Sequence, residues 1–386
     1  MNRKKICVIT GSRAEYGLLQ PVMRKIKNSE IFDLQVIATG SHLEKEFGYT
    51  YREIESDSFL IDRKIEIHAN SSSDVAVANS MSLCLIGVAS ALKELSPDLA
   101  IVLGDRYEIL AAAQAAMVCH IPIAHIGGGD VAVGTYDNII RHCITKLASI
   151  HFVTHQDAFN RVLQLGENPN YIYNVGSTCV ENARSASLLT KKALEDQLEI
   201  SLGRNIAVVT FHPLTMSVDD GADELEALLG SIDLICKEPD STVVFTKANA
   251  DQGGHEVNLR LEGFVKDRPN CHLFDSLGYR RYLSLVKLAK VVVGNSSSGI
   301  YEAPYLMTPT VDVGQRQMGR KAPASVFRAD GSKGSIENAL KLAFSFSFDN
   351  TEMIYGDGSS SQLIFDALSS VKEFSPLIEK EFFDRS

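Results

Sequence analysis

The sequence predicts an α/β protein of two doubly wound domains, and three observations carry that expectation. The chain has 386 residues, too many for one ordinary core and suited to two domains of about 150 to 200 residues each. Short apolar, β-branched runs alternate with amphipathic helical stretches from Ile6 to Val175, the rhythm of a parallel sheet covered on both faces. A polar helical stretch, Asn182 to Leu198, then reads as a linker before the rhythm restarts at Ile206. The expected domains are 1–180 and 181–360, with a helical segment, 361–386, packing back on the first.

In the first domain, Ile6 to Thr10 reads as a buried strand, and Gly11-Ser12-Arg13-Ala14-Glu15-Tyr16-Gly17 as the loop before a helix containing Leu18, Leu19 and Val22. The first strand of a doubly wound domain usually ends in the ligand crevice, which makes Arg13 either a phosphate contact or a surface arginine. Leu34 to Thr39 is the second strand, and Ser56 to Ser73 carries weak strand signals. After the helical spacing of Ser80 to Leu95, the strand Leu99 to Leu103 stops at Gly104-Asp105-Arg106-Tyr107-Glu108. A carboxylate and a guanidinium at the end of a buried parallel strand lie where α/β ligand sites form, although Asp105 could equally cap the next helix, Ile109 to Met117. The strand Ile121 to Ile126 runs into Gly127-Gly128-Gly129-Asp130. Asp137 and Arg141, four apart, share one face of a helix whose other face (Ile140, Cys143, Ile144, Leu147) is apolar, so they are site residues or a surface ion pair. His151 to Thr154 and Tyr171 to Val175 complete the strands.

In the second domain, the strand Ile206 to Phe211 leads into His212-Pro213, followed by a helix from Asp223 to Lys237 and a strand, Thr242 to Thr246, before Lys247-Ala248-Asn249. A helix near Glu256, a strand at His272 to Phe274 and a helix at Tyr279 to Ala289 follow. Val291-Val292-Val293 then enters Gly294-Asn295-Ser296-Ser297-Ser298-Gly299 and leaves as a short helix. Unpaired N–H groups at that helix start, serine hydroxyls and the helix dipole make an anion site, and Glu302, one turn in, can accept from ribose hydroxyls. The same stretch also fits an ordinary serine-capped turn. The strand Thr310 to Val313 runs into Gly314-Gln315-Arg316-Gln317-Met318-Gly319-Arg320, and Gln362 to Ser370 and Ile378 to Phe383 read as closing helices.

A net charge of −10 argues against nucleic acid or an anionic membrane as a partner, so an anionic ligand needs local arginines and helix ends. The seven cysteines are scattered without a C-x-x-C and read as reduced core residues. The N-terminus is followed by only a strand-length apolar run, and no later run approaches the ~18 to 20 residues of a membrane span, which points to a cytoplasmic protein. There is no phosphate-binding G-x-x-x-x-G-K-[ST], D-x-D or H-E-x-x-H; Gly127 to Ala132 fits G-x-G-x-x-A only formally. The expectation is a site with no metal and no cofactor.

Taken in order, the motifs at Gly11 to Gly17, Gly104 to Glu108, His125 to Asp130, Asp137 with Arg141 to Lys146, Phe211 to Pro213, Gly294 to Gly299 and Gly314 to Arg320 resemble those of the hydrolysing UDP-N-acetylglucosamine 2-epimerases. The resemblance implies the GT-B fold, two Rossmann-like domains with the sugar nucleotide in a cleft between them. It also implies a reaction giving N-acetylmannosamine and UDP for sialic acid synthesis, and a homo-oligomer, dimer or tetramer. By the same resemblance, Asp105, Asp137, Arg141 and His212 match the catalytic positions. Arg13, Arg106, Asn249 and Arg316 match residues that hold UDP, Ser296 and Ser297 its diphosphate, Glu302 its ribose, and the backbone near Leu277 its uracil. The departure is at Gly127, where many relatives carry an acid; Asp130 is the expected substitute, with Asp105 sharing the work. The same chemistry on UDP-2,4-diacetamido-2,4,6-trideoxyglucose for legionaminic acid, a non-hydrolysing epimerase, glycosyl transfer and a silent sugar-nucleotide sensor are the competing readings.

Overall fold

The structure is a computed structural model that describes residues 3–68, 73–131, 136–213, 221–248, 253–349 and 352–384. In chain order the first elements are β1 (Lys4–Thr10), α1 (Arg13–Lys27), β2 (Phe32–Thr39), α2 (Tyr51–Ser56), β3 (Arg63–Ile65), α3 (Asp74–Leu95), β4 (Leu99–Leu103), α4 (Tyr107–Val118), β5 (Ile123–Ile126), α5 (Tyr136–Leu147), β6 (Ile150–Val153), α6 (Gln156–Gln164) and β7 (Ile172–Asn174). The seven strands form one parallel sheet in the order β3-β2-β1-β4-β5-β6-β7. Ile6 through Thr10 are all buried, because helices cover both faces of the sheet. The order reverses between β1 and β4, whose registers meet at Ile6 and Leu99, so the loops after Thr10 and Leu103 are neighbours at the carboxyl edge.

Then come α7 (Thr178–Ser185), α8 (Lys191–Leu198), β8 (Asn205–Thr210), α9 (Ala222–Cys236), β9 (Ser241–Thr246), α10 (Gly254–Lys266), β10 (Cys271–Phe274), α11 (Gly278–Leu288), β11 (Val291–Gly294), α12 (Ser298–Tyr305), β12 (Thr310–Val313), β13 (Val326–Ala329), α13 (Lys333–Ser345) and α14 (Ser360–Ser370). Strands β8 to β13 form a second parallel sheet in the order β10-β9-β8-β11-β12-β13, with its switch point between β8 and β11. Each sheet has its own core, the first including Ile6, Val8, Leu99 and Phe152, the second Val209, Phe245, Val293 and Val311. The first compact unit takes in Tyr136–Glu181 and Tyr355–Ser386 besides the residues up to Asp130, and the second is built mainly from Asn182–Ile354. Helix α14 lies against α1, with Ile364 and Leu368, and Phe374 just beyond the helix, in the first core and Phe365 edge-on to Phe32 at 5.8 Å.

Several expectations are corrected. The strand β13 and helix α13 were not legible: Val326–Ala329 is short and only its last residue is fully buried, so it lacks a strand's apolar signature. The chain after Ile378 is not helical. Instead Lys380 reaches back to the buried Glu167 carboxylate at 2.6 Å, which also meets His151 at 3.0 Å and Lys146 at 2.9 Å. Cys143 is exposed and is no core residue. Among the described residues one helix, α3, is long and apolar enough to cross a membrane, with a mean hydropathy of 1.9 and 28% of its most apolar window buried. Its inner side, Cys84, Val88, Ala91 and Leu92, belongs to the core beside β4 and α4.

Candidate active site

In the first unit the carboxyl ends of β4 and β5 meet α5. Gly127 follows β5 in the left-handed region (φ +82°), and its carbonyl accepts from Arg141 Nη1 at 2.7 Å. The other terminal nitrogen of the buried Arg141 is ion-paired with Asp105. The interaction of Arg141 with Asp105 draws the loop after β4 onto α5; Asp105 does not cap the next helix, whose N-cap position is Arg106 without a side-chain cap. His125 fixes the same junction, its Nε2 donating to the Gly104 carbonyl at 2.8 Å and its Nδ1 lying 3.2 Å from Thr145 Oγ1. Burial pushes the His125 pKa down to about 3, so the imidazole is neutral. Gly128 must lack a side chain, because a Cβ there would lie 2.9 Å from Thr145 Oγ1 and 3.0 Å from His125 Nδ1.

Asp137 stands in the first turn of α5, half-buried, one turn before Arg141. Asp130 is buried and accepts from the Thr154 hydroxyl at 2.8 Å, with His155 Nδ1 3.3 Å from the same oxygen. It is therefore a carboxylate held by β6 and the start of α6. Arg13 opens α1, half-exposed, with Nε 3.0 Å from Glu53. Arg106 precedes α4, its Nε 2.5 Å from Glu108 Oε1.

In the second unit the serine turn follows β11. Gly294 (φ +132°) runs so close to β8 that a Cβ would collide with the Thr210 carbonyl. Asn295, fully buried, clasps the end of β8: its Oδ1 accepts from the His212 N–H at 2.7 Å and its Nδ2 donates to the His212 carbonyl at 2.8 Å. The Asn295 carbonyl in turn accepts from Arg316 Nη1 at 3.2 Å and Gln317 Nε2 at 2.8 Å, so one asparagine gathers His212, the serine turn and Arg316. Burial first, and then the Arg316 charge, pushes the His212 pKa down to about 3, which makes it a neutral imidazole.

Ser296 and Ser297 form the turn into α12, and the expectation of unpaired N–H groups there is corrected in part. The Gly299 and Ile300 N–H groups bond to the carbonyls of Ser296 and Ser297 at 3.1 and 2.9 Å, and the Ser298 N–H meets Ser296 Oγ at 3.4 Å. Tight turns of this kind satisfy helix-start donors locally. Glu302 is half-buried, and burial pushes its carboxyl up to about 7 against the Ser298 hydroxyl. The Leu277 side chain is in the core, and its carbonyl accepts from Arg281 Nε at 2.5 Å. Asn249 lies outside the described residues.

The structure thus brings Asp105 and Arg141 together in one unit, and His212, Ser296, Ser297 and Arg316 in the other. Sequence reasoning missed His125, His155, Asn295 and Gln317. Asn295 and His125 stand inside motifs already singled out, but nothing local showed that their partners lie 83 and 21 residues away. Among the described residues no group of three or more His, Cys, Asp or Glu could hold a metal ion.

A family profile described as UDP-N-acetylglucosamine 2-epimerase matches residues 24–369. The chain is 41% identical over 321 residues to a GDP/UDP-N,N'-diacetylbacillosamine 2-epimerase (hydrolyzing) of Campylobacter jejuni, covering 83% of each chain. It is 36% identical over 340 residues to the polysialic acid biosynthesis protein P7 of Escherichia coli, covering 88% of this chain and 86% of that one. The crystal structure of a UDP-N-acetylglucosamine 2-epimerase from Listeria monocytogenes, described there as putative, superposes with a TM-score of 0.81 at 18% identity, over 96% of both chains, a likeness of fold: two parallel-sheet α/β domains of the GT-B kind. The chain belongs to the UDP-N-acetylglucosamine 2-epimerase family and is a hydrolysing UDP-sugar 2-epimerase.

Proposed function

We propose that the substrate is a UDP-2-acetamido hexose, that Asp105, Asp137, Arg141 and Asp130 work on the sugar, and that Arg13, Arg106, Asn249, Leu277, Ser296, Ser297, Glu302 and Arg316 hold UDP. The observation that carries this reading is the Asp105–Arg141–Gly127 junction at the carboxyl ends of adjacent strands, where a doubly wound sheet presents chemistry. The C2 proton of the sugar is weakly acidic, so departure of UDP with positive charge developing at C1 leads. Arginines stabilise the leaving diphosphate. A carboxylate takes the C2 proton, giving a glycal; water then adds at C1 and a proton returns to C2 on the opposite face, yielding the manno sugar and UDP. The neutral His212 suits a hydrogen-bond partner or base for that water rather than a proton donor. No metal or cofactor takes part, and neither nucleic acid nor a membrane is a partner.

The preferred sugar is 2,4-diacetamido-2,4,6-trideoxyglucose, the N,N'-diacetylbacillosamine in the name of the 41% identical relative. The second reading, UDP-N-acetylglucosamine converted to N-acetylmannosamine for sialic acid synthesis, draws on the likeness to the polysialic acid protein. Measured side by side, kcat/KM should favour the diacetamido sugar by about tenfold or more, the scale of one well-made polar contact; a preference for UDP-N-acetylglucosamine reverses the choice. The enzyme is proposed to work in the cytoplasm as a homo-oligomer.

A further inference from the structure

Where the loops after β1, β2 and β4 converge, two carboxyls take no part in the proposed reaction. Glu15 of α1 and Glu108 of α4 are 5% and 0% exposed. Glu15 Oε2 accepts the Gly11 N–H at 2.7 Å, and Glu108 Oε1 holds Arg106 Nε at 2.5 Å. Two glycines make room for Glu108, and the N–H of one of them, Gly11, is the donor to Glu15. A Cβ on Gly11 would lie 2.7 Å from Glu108 Cγ, and one on Gly40 (φ +60°) would lie 3.1 Å from Glu108 Oε1. The remaining oxygens, Glu15 Oε1 and Glu108 Oε2, are buried without a hydrogen-bond partner.

A buried carboxyl near a second buried acid keeps its own proton more readily, because the neutral form avoids both desolvation and repulsion. Burial, and next the charge of Glu108, pushes the Glu15 pKa up to about 8, against Arg106 and the Gly11 N–H. The other titratable groups facing the pair are Asp105, the Tyr107 phenol, and, from α3, the Cys84 thiol; burial pushes both the phenol and the thiol up to about 12 and keeps them neutral. Arg106 is anchored through Nε, the nitrogen nearest the chain, and its side chain is 41% exposed, so its terminal nitrogens suit an anion at the carboxyl edge.

We infer that Glu15, held uncharged in its buried niche, leaves Glu108 to position the Arg106 guanidinium for the nucleotide diphosphate. Glu108 is the direct holder, and a second charge, on Glu15, draws Arg106 inward and away from the ligand. This rests on the reading that Arg106 meets UDP. The diphosphate of UDP is fully ionised above neutrality, since the last phosphate ionisation lies near pH ~6.

The test is UDP affinity of the full chain by calorimetry, with circular dichroism as the check on folding. Wild type should bind about tenfold more weakly at about pH 9 than at about pH 7, the factor of one pKa unit. Glu15→Gln, isosteric with the protonated acid, should bind equally at both pH values, and Glu108→Gln should bind weakly at both. A flat wild-type profile, or a Glu15→Gln profile that still falls, overturns the inference, and this comparison stands even if Glu108→Gln does not fold. Undiminished UDP affinity in Arg106→Ala would instead overturn the ligand reading, and the inference with it.

Discussion

Asp105 and Asp137 sit where sugar chemistry is proposed, and Arg316 in the unit that carries the serine turn, so single changes should separate into two kinds. Asp105→Asn and Asp137→Asn should lower kcat by about 10²- to 10⁴-fold, the scale of general acid–base contributions, with UDP affinity retained. Arg316→Ala should instead weaken UDP binding about tenfold or more. Equal small losses in both kinds, read from kcat and calorimetric UDP affinity, would mean the roles are misassigned. Glu15 adds a pH prediction for stability. Its carboxyl is raised from 4.5 to about 8, so the fold favours the neutral form; the stability it contributes is fully present below about pH 4.5 and lost as pH rises through about 8. Glu15→Gln cannot lose a proton, so its melting temperature relative to wild type should climb from pH 5 to pH 8.5, and a constant difference would contradict the assignment. At this scale the sequence revealed Asp105, because a strand-end acid is conspicuous, but hid its partner: the spacing of Asp137 and Arg141 suggests a helical ion pair, whereas Arg141 turns to Asp105 and the Gly127 carbonyl.

Elements were legible in proportion to their burial. Strands such as β1 and β4, apolar throughout because both sheet faces are covered, announce themselves, whereas the half-buried edge strand β13 does not. Non-local clasps were not legible at all. The three glycines after β5 read as a turn, but only the structure explains the middle one, which leaves space for His125 and Thr145. Gly128→Ala should therefore destabilise the first unit by about 1 to 3 kcal/mol, the usual cost of overpacking, and lower turnover by tilting the Asp105–Arg141 junction. Denaturant melts together with kcat check this; a variant of wild-type stability and activity would show that the junction yields freely.

At the scale of the molecule, two strand–helix units were readable from rhythm alone, and the final helix, expected on the first unit, lies there through contacts far apart in sequence, such as Phe365 with Phe32. Helix α3 poses the other question at this scale. Its outer side exposes Val75, Leu83 and Ile86 at 69%, 43% and 64%, with no charged residue between Asp74 and Lys93. An uncharged helix face of that length suits a copy of itself in the homo-oligomer proposed above. Leu83→Asp with Ile86→Asp should shift the mass by light scattering from oligomer to monomer; an unchanged mass would place the contact elsewhere.

The reaction class is tested most directly by proton NMR of the pure protein turning over its UDP-sugar in deuterium oxide. A free 2-acetamido manno-configured sugar carrying deuterium at C2, released together with UDP, is the predicted result. Formation of a UDP-linked epimer, or release of UDP with protium kept at C2, would contradict elimination followed by hydration.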